Sequence, residues 1–97
     1  MDIAASVQLV TEQVMLKMTR SLAEEYAIPN LCMAGGVALN CVANGKILRD
    51  QSFKEIWIQP AAGDAGGALG AALSVWYKEM DKPRKVNSAD SMKGSFL

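Results

Sequence analysis

Apolar residues recur at three- and four-residue steps through the first quarter of the chain. Ile3, Val7, Val10, Val14, Met18 and Leu22 mark one stripe, which predicts an amphipathic helix over 2–26 with that stripe turned to a core. Gln8, Glu12, Lys17, Arg20 and Glu24 supply the polar positions, and Asp2 stands where an N-cap belongs. Such a helix runs roughly 36 Å and suits a scaffold role over one face of a sheet. Pro29 cannot continue it. The short apolar run at 31–34 predicts a strand over 30–34, which meets Gly35-Gly36 and turns at once into a second helix over 37–49. Val37, Cys41 and Leu48 form the apolar stripe of that helix, with Asn40 and Asn44 one turn apart beside it. The segment FKEIWIQ at 53–59 alternates as a strand does, Ile56 and Ile58 to one face and Trp57 to the other, until Pro60 stops it. Asp64 then sits at an N-cap position before a third helix over 65–78. Gly66, Gly67 and Gly70 each cost that helix about 1 kcal/mol relative to Ala, which predicts a close neighbour against them. From residue 81 the periodicity ends. Residues 1–80 are therefore expected to fold and 81–97 to be a tail or crossing loop, and the terminal pair Phe96-Leu97 reads as a cut end.

The order helix, strand, helix, strand, helix predicts an α/β fold. Neighbouring strands joined by a helix run parallel, so both end at the same edge of the sheet. The corner at Gly35-Gly36 and the corner at 60–67 are thereby expected to open on one side, where open α/β sheets bind ligands. A sharp strand-to-helix turn leaves the first helical N–H groups pointing outward, which suits phosphate or another polar group. Gly35, Gly36 and Asn40 are the candidate ligand contacts at the first corner, and Asp64 stands opposite as a carboxylate suited to a metal–phosphate group. Each has a plainer reading: a tight turn for the glycines, helix capping for Asn40 and Asp64. Neither corner is a P-loop or a G-x-G-x-x-G turn. Two strands alone make a poor sheet, and an unpaired apolar strand edge invites another chain, so self-association is expected.

Composition narrows the chemistry. Across 97 residues, ten Lys and Arg balance ten Asp and Glu, so no bulk charge draws the chain to nucleic acid or anionic lipid. No secretory signal and no membrane-length apolar stretch occur, which predicts a cytoplasmic protein. Cys32 and Cys41 are the only cysteines and are expected to be reduced, buried thiols. The chain has no histidine, which removes the commonest general base and metal ligand.

Taken together, AGGVALNCVANGKIL (34–48) and IWIQPAAGDAGGALGAAL (56–73), with DIAASVQ near the start and GSFL at the end, closely resemble the O-carbamoyltransferases of the nodulation-factor, tobramycin and cephamycin type. The resemblance covers nearly the whole chain and implies the later part of an actin-like ATPase (ribonuclease H-like) domain. It implies transfer of a carbamoyl group to a hydroxyl of a sugar-like acceptor, by way of a carbamoyl-adenylate made from carbamoyl phosphate and ATP, with a divalent metal, often iron, at the transfer site. By position, Gly35, Gly36 and Asn40 match the family's contacts to the adenosine part of the nucleotide, and Asp64 matches an aspartate that ligates the metal. The family's ligating histidines and its carbamoyl phosphate-processing domain have no counterpart in this sequence. On its own the chain is expected to be inactive. The alternatives are a fragment of another actin-like ATPase, such as a sugar kinase, and a non-catalytic nucleotide-binding or assembly module.

Overall fold

The structure, a computed structural model, describes residues 2–87. The first helix, α1, spans Ile3–Tyr26. Asp2 caps it, accepting from the Ala4 N–H at 3.1 Å, and Ala27 ends it in the left-handed region at φ 52°. Strand β1 (Asn30–Met33) leads through Gly35 into a short 3-10 turn, Gly36–Leu39. Helix α2 (Cys41–Asp50), strand β2 (Glu55–Ile58) and helix α3 (Asp64–Ser74) follow. A single π turn, Val75–Glu79, extends α3. Residues 81–87 are in neither helix nor strand, and the remainder of the expected tail, 88–97, lies outside the described residues.

The fold is α/β with a parallel strand pair and three helices, as the element order requires. The β1–β2 register sets Asn30 beside Glu55, Leu31 beside Ile56, Cys32 beside Trp57 and Met33 beside Ile58. Beyond the ladder, Lys54 donates to the Pro29 carbonyl at 2.7 Å and Gln59 to the Met33 carbonyl at 3.0 Å. Among the described residues each strand has one neighbour and one open edge.

Helix packing departs from the sequence reading in three ways. First, the stripe of Ile3, Val7, Val10, Val14, Met18 and Leu22 faces outward; Val7 is 60% exposed and Val14 50%. The buried face is rotated by one residue, about 100° of helix, and carries Gln8, Glu12, Met15, Leu16 and Thr19. Second, the predicted continuous helix over 37–49 is broken at Asn40, and its predicted stripe of Val37, Cys41 and Leu48 is exposed while Ala43, Asn44 and Ile47 are buried. Third, α3 buries none of its residues and does not pack on the sheet. A Cβ on Gly66 would lie 2.5 Å from the Ala61 carbonyl oxygen, so glycine is required there by its own preceding turn. Gly67 and Gly70 face open space. The two cysteines are free but exposed, not buried.

The core is small. Met33, Ala38, Ile47 and Ala62 form its centre, with Met15, Leu16, Leu31, Ile56 and Ile58 packed around them. Helices α1 and α2 are joined largely by polar groups. Gln8 pairs with Asn40, Lys46 with the buried carboxylate of Glu12, and Arg20 with Asp50. The Thr19 hydroxyl is satisfied within its own helix by the Met15 and Leu16 carbonyls.

The Arg20–Asp50 pair makes stability depend on pH. Hydrogen bonds from Arg20, then from Ser52, hold the Asp50 carboxyl down at about 2 from its usual 3.8. A carboxyl with a lower pKa when folded stabilises the fold fully above about 3.8, and that contribution is lost as pH falls through about 2. The Lys46 and Gln8 hydrogen bonds shift Glu12 in the same direction. Asp50→Asn is expected to be less stable than the parent chain at pH 7, with the gap closing as pH falls from 4 to 2. Urea unfolding followed by circular dichroism at several pH values checks this; a gap that stays constant with pH contradicts it.

Candidate nucleotide and metal site

The first corner is built by a glycine in a conformation other residues avoid. Gly35 sits at φ 99°, where an L side chain is strained. Its N–H donates to the Ala62 carbonyl at 2.8 Å. That one bond ties the turn after β1 to the turn after β2. A Cβ built on Gly63 would rest 3.8 Å from Leu39 Cδ1, so the Leu39 side chain reaches close to the second corner. The parallel pairing thus places both strand-end turns side by side, as the shared-edge argument requires.

Gly36 opens the 3-10 turn, and the space above both Gly35 and Gly36 is open. Asn40 ends that turn and caps α2, its Oδ1 accepting from the Ala43 N–H at 3.1 Å. The capping reading of Asn40 is therefore realised in the structure. Its side chain also turns toward α1, where it exchanges two hydrogen bonds with the Gln8 amide. An open depression of about 750 Å³ lies there, lined by Gln8, Gly36, Val37, Leu39, Asn40 and Cys41 among others. Asp64 is not among its lining residues.

Asp64 is the first residue of α3, whose N-cap is Gly63 with no side-chain capping bond. The expected capping role is thus not realised. The carboxylate is exposed and lies in the first turn, where the helix dipole favours a negative charge. Among the described residues no group of three or more His, Cys, Asp or Glu gathers as a metal site. Among the described residues, then, the Asp64 carboxylate is part of no such group.

Sequence reasoning missed Gln8, Glu12 and Lys46 as partners of the corner, reading the first two as polar surface positions. The spacing of Gln8 and Glu12, one helical turn apart, was the signal available. Asn44 is a second finding. It is 7% exposed and donates to the Ala38 carbonyl at 2.7 Å, while its Oδ1 has no hydrogen-bond partner among the described residues.

Comparison with known proteins defines the class. A family model described as Carbamoyltransferase N-terminus matches residues 1–73. The protein sll1178 of Synechocystis sp. is 62% identical over 97 residues, covering all of this chain and 16% of that protein. The nodulation protein NolNO of Sinorhizobium fredii is 50% identical over 72 residues, 74% of this chain and 11% of its own length. NolO of Bradyrhizobium diazoefficiens is 45% identical over 82 residues, 84% of this chain and 15% of its own. The chain belongs to the carbamoyltransferase family, as a segment of its N-terminal domain, and spans less than a fifth of the relatives it matches. No solved structure matches it. Among the described residues no helix is long and apolar enough to cross a membrane.

Proposed function

We propose that this chain is part of an enzyme that moves a carbamoyl group from carbamoyl-adenylate, made from carbamoyl phosphate and ATP, to a hydroxyl of a sugar-like acceptor. The observation that carries the reading is the Gly35–Ala62 hydrogen bond within a carbamoyltransferase segment. It joins the two turns whose residues resemble the family's nucleotide and metal contacts. In this reading the segment belongs to an actin-like ATPase domain in the cytoplasm. The nucleotide lies over the open backbone of Gly35 and Gly36, and Asn40 contacts its adenosine part. Asp64 offers one oxygen to a divalent metal, iron being the family's usual choice. A lone carboxylate leaves most coordination positions to other donors. The remaining ligands therefore come from beyond the described residues, which gather no metal centre of their own.

The chemistry separates this reading from a sugar kinase. In an adenylate mechanism carbamate, freed from carbamoyl phosphate with loss of inorganic phosphate, attacks the α-phosphorus of ATP and expels pyrophosphate. The acceptor hydroxyl then takes the carbamoyl group and AMP leaves, one for each group delivered. A kinase attacks the γ-phosphorus and releases ADP. Incubating the intact enzyme with carbamoyl phosphate, ATP and a hydroxyl acceptor is expected to give AMP and a carbamate ester in equal amounts. ADP with a phosphorylated acceptor would favour the kinase. Nucleotide binding with neither product would favour an assembly module.

A further inference from the structure

The hydrogen bonds around Asn40 can be counted to the last proton. Both Nε2 hydrogens of Gln8 are used: one goes to Glu12 Oε1 at 2.9 Å and the other to Asn40 Oδ1 at 3.2 Å. The Gln8 Oε1 accepts from Asn40 Nδ2 at 2.8 Å. Asn40 Oδ1 therefore holds two donors, Gln8 Nε2 and the Ala43 N–H, which fills its two acceptor positions. Of the two Nδ2 hydrogens, one is bonded to Gln8. The other is uncommitted among the described residues. Glu12 gives the array its polarity. An ionised carboxylate only accepts, so it draws the NH₂ end of Gln8 toward itself and excludes the flipped amide. Glu12 is 5% exposed and is paired with Lys46, which keeps it ionised.

We propose that Gln8 and Glu12 are positioning residues that fix Asn40 as a pure hydrogen-bond donor, so that this corner selects an acceptor atom on its ligand. The inference rests on the reading of Asn40 as a nucleotide contact and adds what that contact recognises. The adenosine part of a nucleotide offers such acceptors in its ribose oxygens and base ring nitrogens. Without Gln8, the cap would still hold one lone pair of Oδ1. The second lone pair and both Nδ2 hydrogens would be free, and the amide would no longer distinguish donor from acceptor.

The test uses the 97-residue chain and Mg·ATP, read by NMR of the Asn40 side-chain amide. In the unaltered chain one Nδ2 proton is expected to be protected from exchange and the other to move on addition of sub-saturating Mg·ATP. Gln8→Met keeps the side-chain length and removes the amide. It is expected to abolish the protection and reduce the nucleotide-induced shift about tenfold, the effect of one hydrogen bond. Asn40→Ser keeps a capping oxygen but replaces the fixed Nδ2 donor with a hydroxyl that can either donate or accept; Mg·ATP binding, followed at the Gly35 and Gly36 amides, should again fall about tenfold. Because Gln8 acts through Asn40, the double variant should also bind about tenfold more weakly, not a hundredfold. Additive losses, or two Asn40 protons that exchange alike, would overturn the inference. If Mg·ATP moved no signal at this corner, the nucleotide reading would fall. Protection of one Asn40 proton that depends on Gln8, measured without nucleotide, judges the positioning role separately.

Discussion

In sedimentation at rising concentration, the isolated chain is expected to pass from monomer to dimer, and a variant carrying Val14→Lys and Leu22→Lys is expected to stay monomeric. The motive is the outward stripe of α1, where Ile3, Val7, Val10, Val14, Met18 and Leu22 are all at least 40% exposed. Beside it, an apolar groove of about 250 Å³ runs between α1 and β1, lined by Met15, Met18, Leu22, Leu31, Met33 and Val37 among others. The strand at its floor has an open edge among the described residues. Contiguous apolar surface next to an unpaired strand seeks a partner. The relatives are several times longer than this chain, and in an intact enzyme the remaining sequence would cover these surfaces. In its absence a second copy is the available cover. Burying two lysines in that contact costs about 3 kcal/mol or more, which weakens a dimer at least about a hundredfold. Both positions are exposed in the monomer, so its fold should persist. A parent chain that remains monomeric at high concentration, or a double-lysine variant that dimerises equally well, would contradict this account.

The same stripe shows where sequence reasoning reached its limit. Periodicity correctly located α1 to within a residue, because spacing depends only on local geometry. It named the wrong buried face because an apolar stripe reports burial somewhere, not burial against the segments at hand. Within these residues α1 meets α2 through Gln8, Glu12 and Arg20, polar positions that look solvated in a one-dimensional pattern. The parallel pairing and the adjacency of the two corners were legible, since a strand–helix–strand unit leaves little topological choice. The break at Asn40 was signalled only by asparagine's poor helix propensity. Asp64 illustrates a different limit. A carboxylate before a helical run resembles an N-cap, but Gly63 takes that place and Asp64 enters the helix. Backbone dihedrals decide such a one-residue shift, and the side-chain pattern does not encode them.

That shift sharpens the second large prediction, made for Asp64→Asn in the intact enzyme. With no capping bond to lose, the substitution changes little but charge, at an exposed position in the first turn of α3. A dipole interaction there contributes about 0.3–1 kcal/mol, so folding should be nearly unaffected. If Asp64 ligates a metal, the loss is of another order. Altering partners that merely orient a ligand already costs about 10–100-fold in metal affinity or activity, so removing a charged ligand should cost at least about a hundredfold. The decisive measurement is carbamoyl transfer by that variant, with metal content and thermal stability determined on the same sample. The account predicts an unchanged melting transition, a metal-depleted protein and transfer reduced at least about a hundredfold. Full metal occupancy with parental turnover would show that Asp64 plays no part in the site.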